Sequence, residues 1–186
     1  MRRFTEAAPE VRIEIVQGIQ SDLRTAVLED RIDLAIGAFG RRSEAIVAHP
    51  LCAERQSIYC GVRHPFFERA PDRVSRSELE AADWVQRGYS LGPSIPLPVE
   101  IAYSSATAAN IEGVVMIILA GRHIGVVPDH FAQPFEERGA LRRISPATLS
   151  VDIIFSLISR KGRRDTGAMR GFRQALDQVV TEFASR

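Results

Sequence analysis

The sequence predicts an α/β protein made of two small lobes. Three observations carry that prediction. Apolar runs of strand length alternate with segments of helical spacing, the alternation breaks near residues 49–57 and 146–151, and the chain closes with a strand and helix that can rejoin the first group. The expected division is residues 1–54 for the first part of lobe I, 55–147 for lobe II and 148–186 for the return to lobe I.

In order along the chain, VRIEIV at 11–16 alternates Val11, Ile13 and Ile15 with Arg12 and Glu14, the period of a half-buried strand. Gly18 ends it. Leu23, Ala26 and Val27 then share one side of a short helix that runs to near Asp30, with Ser21 as its expected N-cap. IDLAIG at 32–37 reads as a buried strand, so the chain is expected to open with a right-handed βαβ unit of parallel strands. SIYCGV at 57–62 is a further strand, Ser77 and Glu80 have capping-box spacing ahead of a short helix, and Trp84–Arg87 is a strand. Residues 88–98, GYSLGPSIPLP, hold three prolines and two glycines and form a loop of a length that is often functional.

VEIAY at 99–103 is expected as a strand, followed by a helix from Ser105 or Thr107. Its stripe of Ile111, Val114, Val115, Ile118 and Leu119 is apolar, and Gly121 stops it. HIGVV at 123–127 is a short strand halted by Pro128, and a small helix from Asp129 to Arg138 ends at Gly139. VDIIFSLIS at 151–159 is a β-branched strand. Met169, Phe172, Leu176, Val179, Val180 and Phe183 line a C-terminal helix.

Composition narrows the function. With 186 residues, 45% of them hydrophobic and 25% charged, the chain can bury a core, and disorder is excluded. The 24 Lys and Arg nearly cancel the 23 Asp and Glu, and a net charge of +1 gives this chain no basic field for a phosphate backbone. No apolar run reaches the ~20 residues of a membrane span, and MRRFTEAAPE has no apolar core, so a cytoplasmic protein is expected. Nucleophile-elbow, dinucleotide, Walker and zinc-protease motifs are missing, and no enzyme, cofactor or metal site is expected. His49, His64, His123 and His130 form no ligand spacing and read as surface or structural histidines. Cys52 and Cys60 form no CxxC spacing, and buried, inert thiols are expected.

Several motifs in order resemble the effector-binding domain of LysR-type transcriptional regulators. They are RRFTEAAPEVRIEIVQG, LEDRIDLAIGAF, the Pro50–Leu51 pair, SIYCGVRHPFF with His64 and Pro65, RGYS, and ILAGRHIGVVPDH with Gly121, Gly125 and Pro128. The resemblance covers nearly the whole chain. It implies two Rossmann-like lobes joined by two crossover segments, the type 2 periplasmic-binding-protein fold, and a small-molecule effector held between the lobes. It further implies a homodimer or homotetramer, paired head to tail through the first helix of lobe I and a lobe II helix such as Thr107–Ala120. DNA would be contacted through a winged helix-turn-helix that this sequence does not contain. A family domain opens with a strand and the start of a helix, whereas Met1–Ala7 reads as the tail of that helix. A stand-alone solute-binding protein of the same fold is the alternative reading, and an enzyme on that fold, such as a dehydratase of a small acid, is a more distant one.

The candidate effector residues follow from strand ends and helix starts. Ser104, Ser105, Thr107 and Asn110 are expected at the start of the central helix, where unsatisfied N–H groups suit an anion, and N-capping is the alternative role of each. Gly37, Ala38 and Phe39 follow a strand and allow close backbone approach, as a plain tight turn also would. Arg87 offers bidentate carboxylate recognition and Tyr89 a phenol beside it, with Ser90 adjacent. Pairing of Arg87 with a surface acid is the alternative. Pro128 is expected to shape the cleft wall. The effector is expected to be an anionic metabolite.

Overall fold

A computed structural model describes residues 1–40, 43–70, 73–88, 99–145 and 147–184. The chain divides into two compact units, residues 1–52 with 154–186 and residues 53–153.

In the first unit, α1 (Arg2–Ala7) lies against α6 (Gly167–Ala184), where buried Phe4 meets Phe172 edge to face at 5.5 Å between ring centroids. Helix α2 (Gln20–Leu28) buries Ala26 and Val27 against β1 (Ala35–Gly37). β1 pairs antiparallel with β7 (Val151–Arg160), Ala35 opposite Ile158. α2 ends on Asp30 with φ 56°, a left-handed position usually given to glycine, and the Arg31 N–H closes the turn on the Ala26 carbonyl at 2.8 Å.

Three expectations fail in this unit. VRIEIV forms no strand: residues 11–19 have no regular structure, and Ile15 is 75% exposed. Alternation supplies a face but not the neighbouring strand that must accept its hydrogen bonds. Consequently no parallel βαβ unit forms, and the strand of IDLAIG contracts to three residues with an antiparallel partner. Ser21 is not the N-cap of α2. Ile19 occupies that place without a side-chain cap, and the Ser21 hydroxyl turns to Asp22 instead.

The second unit is a sheet buried on both faces. Its order is β2 (Ile46–Gly61), β5 (Ile124–Pro128), β3 (Trp84–Arg87), β4 (Ser104–Ala108), with β6 (Leu141–Arg143) on the other side of β2. β3 runs parallel to β4 and β5, while β2 is antiparallel to β5 and β6. Residue alternation sorts the core. Ile58, Cys60, Trp84, Ile124 and Val126 pack with Leu79 of α3 (Arg76–Ala81) on one face. Tyr59, Val85 and Val127 pack with Val114, Val115 and Ile118 of α4 (Ile111–Leu119) and Ala132 of α5 (Asp129–Glu136) on the other.

Here too the sequence reading is corrected. The strand expected at 57–62 begins eleven residues earlier, at Ile46, running through Pro50 and ending at Gly61. The capping box is Ser75 with Glu78, not Ser77 with Glu80. Both have the S-x-x-E spacing, but only the first places Val74 ahead of the cap and Leu79 one turn on, and those two are buried together. VEIAY is not a strand: Val99 and Ile101 reach the core without a ladder, and the strand is the following SSATA, β4. The helix therefore starts at Ile111, and Ser104, Ser105 and Thr107 belong to a strand rather than to a helix start. Cys60 is buried as expected, and burial pushes its thiol up to about 12, but Cys52 is exposed.

Candidate functional site

The polarity of the parallel strands decides which candidate residues share an edge. Chain direction puts Asp83, Ser104, Ser105 and His123 at the amino ends of β3, β4 and β5, and Arg87, Thr107 and Pro128 at or near their carboxyl ends. In sheets of this kind ligands gather at the carboxyl ends.

At the amino ends the groups are tied to one another. The Ser104 hydroxyl donates to the Trp84 carbonyl at 3.0 Å. Ser105 lies at an irregularity in the β3–β4 ladder and gives both its N–H and its hydroxyl to Asp83, at 3.0 and 2.8 Å. His123 Nε2 lies 2.9 Å from that hydroxyl, and Arg122 donates to Asp83 at 2.8 Å. Burial pushes the Asp83 carboxyl up, but the hydrogen bonds from Ser105 and Arg122 outweigh it and hold the group below its ordinary value. Serine, histidine and aspartate meet here, but not as a nucleophile and base. The Ser105 hydroxyl donates its hydrogen bond to Asp83 directly, and His123 Nδ1 has no hydrogen-bond partner, so no acid holds the imidazole from behind as a triad requires. The arrangement locks three strand starts together.

At the carboxyl ends, Arg87 Nη2 donates to Gln56 Oε1 at 2.7 Å and to the Val126 carbonyl at 3.2 Å. Gln56 is fully buried and stands opposite Pro128 in the β2–β5 register. The other end of its amide donates to Glu54, whose second oxygen lies 3.7 Å from His130 Nδ1. Burial raises the Glu54 carboxyl above its ordinary value, opposed by the charges of His130 and Arg87 and by the Gln56 hydrogen bond. Arg87 thus reaches an amide and a backbone carbonyl. Gly88 donates to the Ala108 carbonyl at 2.8 Å, which binds the ends of β3 and β4, and Thr107 is exposed on β4 beside it. Asn110 takes its structural role, its side-chain oxygen accepting the Gly113 N–H at 2.9 Å as the N-cap of α4.

In the first unit, Gly37 closes β1, Ala38 is buried, and Phe39 packs on the Val27, Ala35 and Ile158 cluster. Tyr89 and Ser90, with the rest of the proline-rich loop, lie outside the described residues. Sequence reasoning missed Glu54, Gln56 and His130. Gln56 carries no motif, and only the register of β2 against β5 makes a buried amide of it.

Two α/β units connected through β2 and β7 make up the fold, and among the described residues no helix is long and apolar enough to cross a membrane. The sequence model described as the LysR substrate binding domain matches residues 1–181, and the chain belongs to that family. It is 29% identical over 168 residues to the HTH-type transcriptional activator BauR of Pseudomonas aeruginosa, a match that covers 90% of this chain and 55% of BauR. The chain therefore spans about half the length of that curated relative. Among solved structures it is similar to the effector binding domain of QuiR in complex with shikimate, with a TM-score of 0.80 at 13% identity, covering 97% of this chain and 88% of that one. It is also similar to the effector domain of AmpR of Pseudomonas aeruginosa, with a TM-score of 0.74 at 16% identity and coverage of 99% and 88%.

Proposed function

We propose that this chain is the effector-sensing part of a LysR-type transcriptional regulator, in which a small molecule, rather than a reaction, is the event. The observation that carries this reading is the family match over residues 1–181. It is supported by the relative described as a transcriptional activator and by the similar effector domain that holds shikimate. The near-neutral charge of the chain fits a regulator whose winged helix-turn-helix makes the DNA contacts. The regulator is a cytoplasmic homo-oligomer, a dimer or tetramer, and carries no cofactor. The ligand transmits a signal only through its preference for one conformation over another, since equal affinity for both shifts no population.

The candidate ligand-binding residues in this reading are Gly37, Ala38 and Phe39 in the first unit and Arg87, Thr107, Asn110 and Pro128 in the second; Tyr89 and Ser90 stay candidates from the sequence alone. Ser104 and Ser105 drop out, because their hydroxyls are committed at the opposite strand ends. Arg87 is the group that recognises a carboxylate, so the ligand is a small organic acid. A thermal-shift screen of small carboxylates tests this. Binding acids raise the melting temperature, and Arg87→Gln weakens them by about 1.5–3 kcal/mol, tenfold or more in Kd. Stabilisation by cationic or uncharged compounds only would overturn the reading.

A further inference from the structure

At the end of the second unit's sheet opposite Arg87, a group of arginines is left without acids. β2 is antiparallel to β5, with Cys60 opposite Ile124, so the end of β2 lies at the amino ends of the parallel strands. There the turn after Gly61 runs beside the turn from α5 into β6, the Val62 N–H donating to the Ala140 carbonyl at 3.1 Å. These two turns and the start of β6 present Arg63, Arg138 and Arg142 near Val62, and all four are exposed, Val62 by 51%. Among the described residues, none of the three guanidiniums has a carboxylate within 4.0 Å. Arg69, Arg122 and Arg143 of the same unit are instead paired, with Glu78, Asp83 and Asp129.

Two of the three are held still. The Arg138 guanidinium lies 5.1 Å from the Phe135 ring centroid, and its Nε donates to the Pro134 carbonyl at 2.7 Å. The Arg142 guanidinium lies 5.4 Å from the Phe67 centroid, and its Nη1 donates to the Phe67 carbonyl. Stacking takes one face of each group and a carbonyl takes one nitrogen. Each therefore keeps two adjacent donor nitrogens, Nη1 and Nη2 of Arg138 and Nε and Nη2 of Arg142, the fork that grips a carboxylate through parallel hydrogen bonds. Protection of the short edge strand β6 accounts for a charge there but not for its immobilisation, which removes in advance part of the ordering cost of binding.

We propose that this surface docks a carboxylate-rich, partly apolar segment of another protein, at the opposite end of the sheet from Arg87. Residues 61–63 and 136–143 hold four arginines against Glu136 and Glu137, a local balance of +2 that attracts acidic chains. The same two glutamates repel a continuous phosphate backbone, whereas discrete carboxylates are spaced to avoid them. Val62 supplies the apolar contact.

The test uses the chain itself and a short fluorescein-labelled peptide rich in Glu with interspersed Leu, read by fluorescence anisotropy against the same peptide with Gln in place of Glu. The acidic peptide should bind, and the neutral one at least tenfold more weakly. Arg138→Glu and Arg142→Glu should each weaken the acidic peptide at least tenfold, and Arg138→Lys and Arg142→Lys, which keep the charge but lose the fork, about threefold. Arg12→Glu, at an exposed arginine of the first unit, makes the same change in net charge and should leave binding unaltered. Circular dichroism checks that each variant is folded. Failure of the acidic peptide to bind, or an equal loss in Arg12→Glu, overturns the proposal. So does a mixed-sequence DNA oligonucleotide that binds more tightly through the same arginines, or self-association of the chain that Arg138→Glu and Arg142→Glu abolish, since the occupant is then a second copy. The outcome is independent of the effector reading, because no residue of that set is altered.

Discussion

Replacing Gly61 with alanine tests how α4 is seated and, with it, what positions the carboxyl-end edge. A Cβ built at Gly61 falls 2.4 Å from the Ile118 carbonyl oxygen and 3.2 Å from the Leu119 Cα, so the obstruction is helix backbone that no rotamer change can clear. Relief requires α4 to lift from the sheet, withdrawing Val114, Val115 and Ile118, which are at most 2% exposed. Overpacking of a close-packed core costs about 1–3 kcal/mol, and an immovable neighbour places Gly61→Ala at the upper end, about 3 kcal/mol. Trp84 is the sole tryptophan, fully buried in the same unit, and its fluorescence reports that unit's unfolding in urea. With a slope of about 2 kcal/mol per molar for a unit of this size, the midpoint should fall by about 1.5 M. Gly139→Ala is the control: its φ is +67° and nothing lies within 4 Å, so it carries only the left-handed backbone cost of about 1 kcal/mol. Equal midpoints for the two variants would refute the claim that glycine at 61 serves close approach.

At Asp30, φ 56° is tolerated by Asn but not by a β-branched residue, so Asp30→Val should lower the stability of the first unit by about 2 kcal/mol while Asp30→Asn stays nearly neutral. A large loss in Asp30→Asn by thermal unfolding would instead credit the ion pairs with Arg160 and Arg163. The Arg69 guanidinium, with the Ser75 N–H and hydroxyl, holds the Glu78 carboxyl down to about 2. Because the folded value is depressed, the capping contribution is complete above pH ~4.5 and is lost as pH falls toward 2. A carboxyl NMR titration should show that midpoint and its rise in Ser75→Ala. With Cys60 buried and Cys52 exposed, a thiol reagent at pH 8 should label one cysteine in the native protein and both in urea, and fast labelling of both in the native state would contradict the packing of β2. Residues 12–18 donate no backbone hydrogen bond among those described, so their amides should exchange within seconds in deuterium, while those of β5 are protected. Slow exchange at 12–18 would mean that the segment has a partner.

Legibility in the sequence followed how local the deciding interaction is. The β3 strand Trp84–Arg87 and the stripe of α4 were readable because residue spacing alone selects their buried faces. VRIEIV failed because a strand is completed by a neighbour, and its alternation says nothing of whether one is present. Ser75 and Ser77 have the same spacing to a glutamate, and the choice between them was made by the burial of Val74 with Leu79, a tertiary fact. β2 was under-read because Pro50 looks like a strand breaker although the strand continues through it.

The site divides along the same line. Arg87 was found because a cation after a strand end is a sequence-visible feature, but its partner Gln56 lies thirty-one residues earlier and reaches it only across β5. Ser104, Ser105, Thr107 and Asn110 look like one polar cluster in sequence, yet a helix that starts at Ile111 instead of Ser105 inserts a strand between them. Four residues of extended chain carry Ser104 and Thr107 toward opposite ends of that strand, so two hydroxyls join Asp83 and Trp84 while Thr107 stays with Arg87. A shift of a few residues in one boundary therefore changes a supposed anion site into two separate places. At one of them the strand starts are locked together, and at the other Gln56 links Arg87 to Glu54.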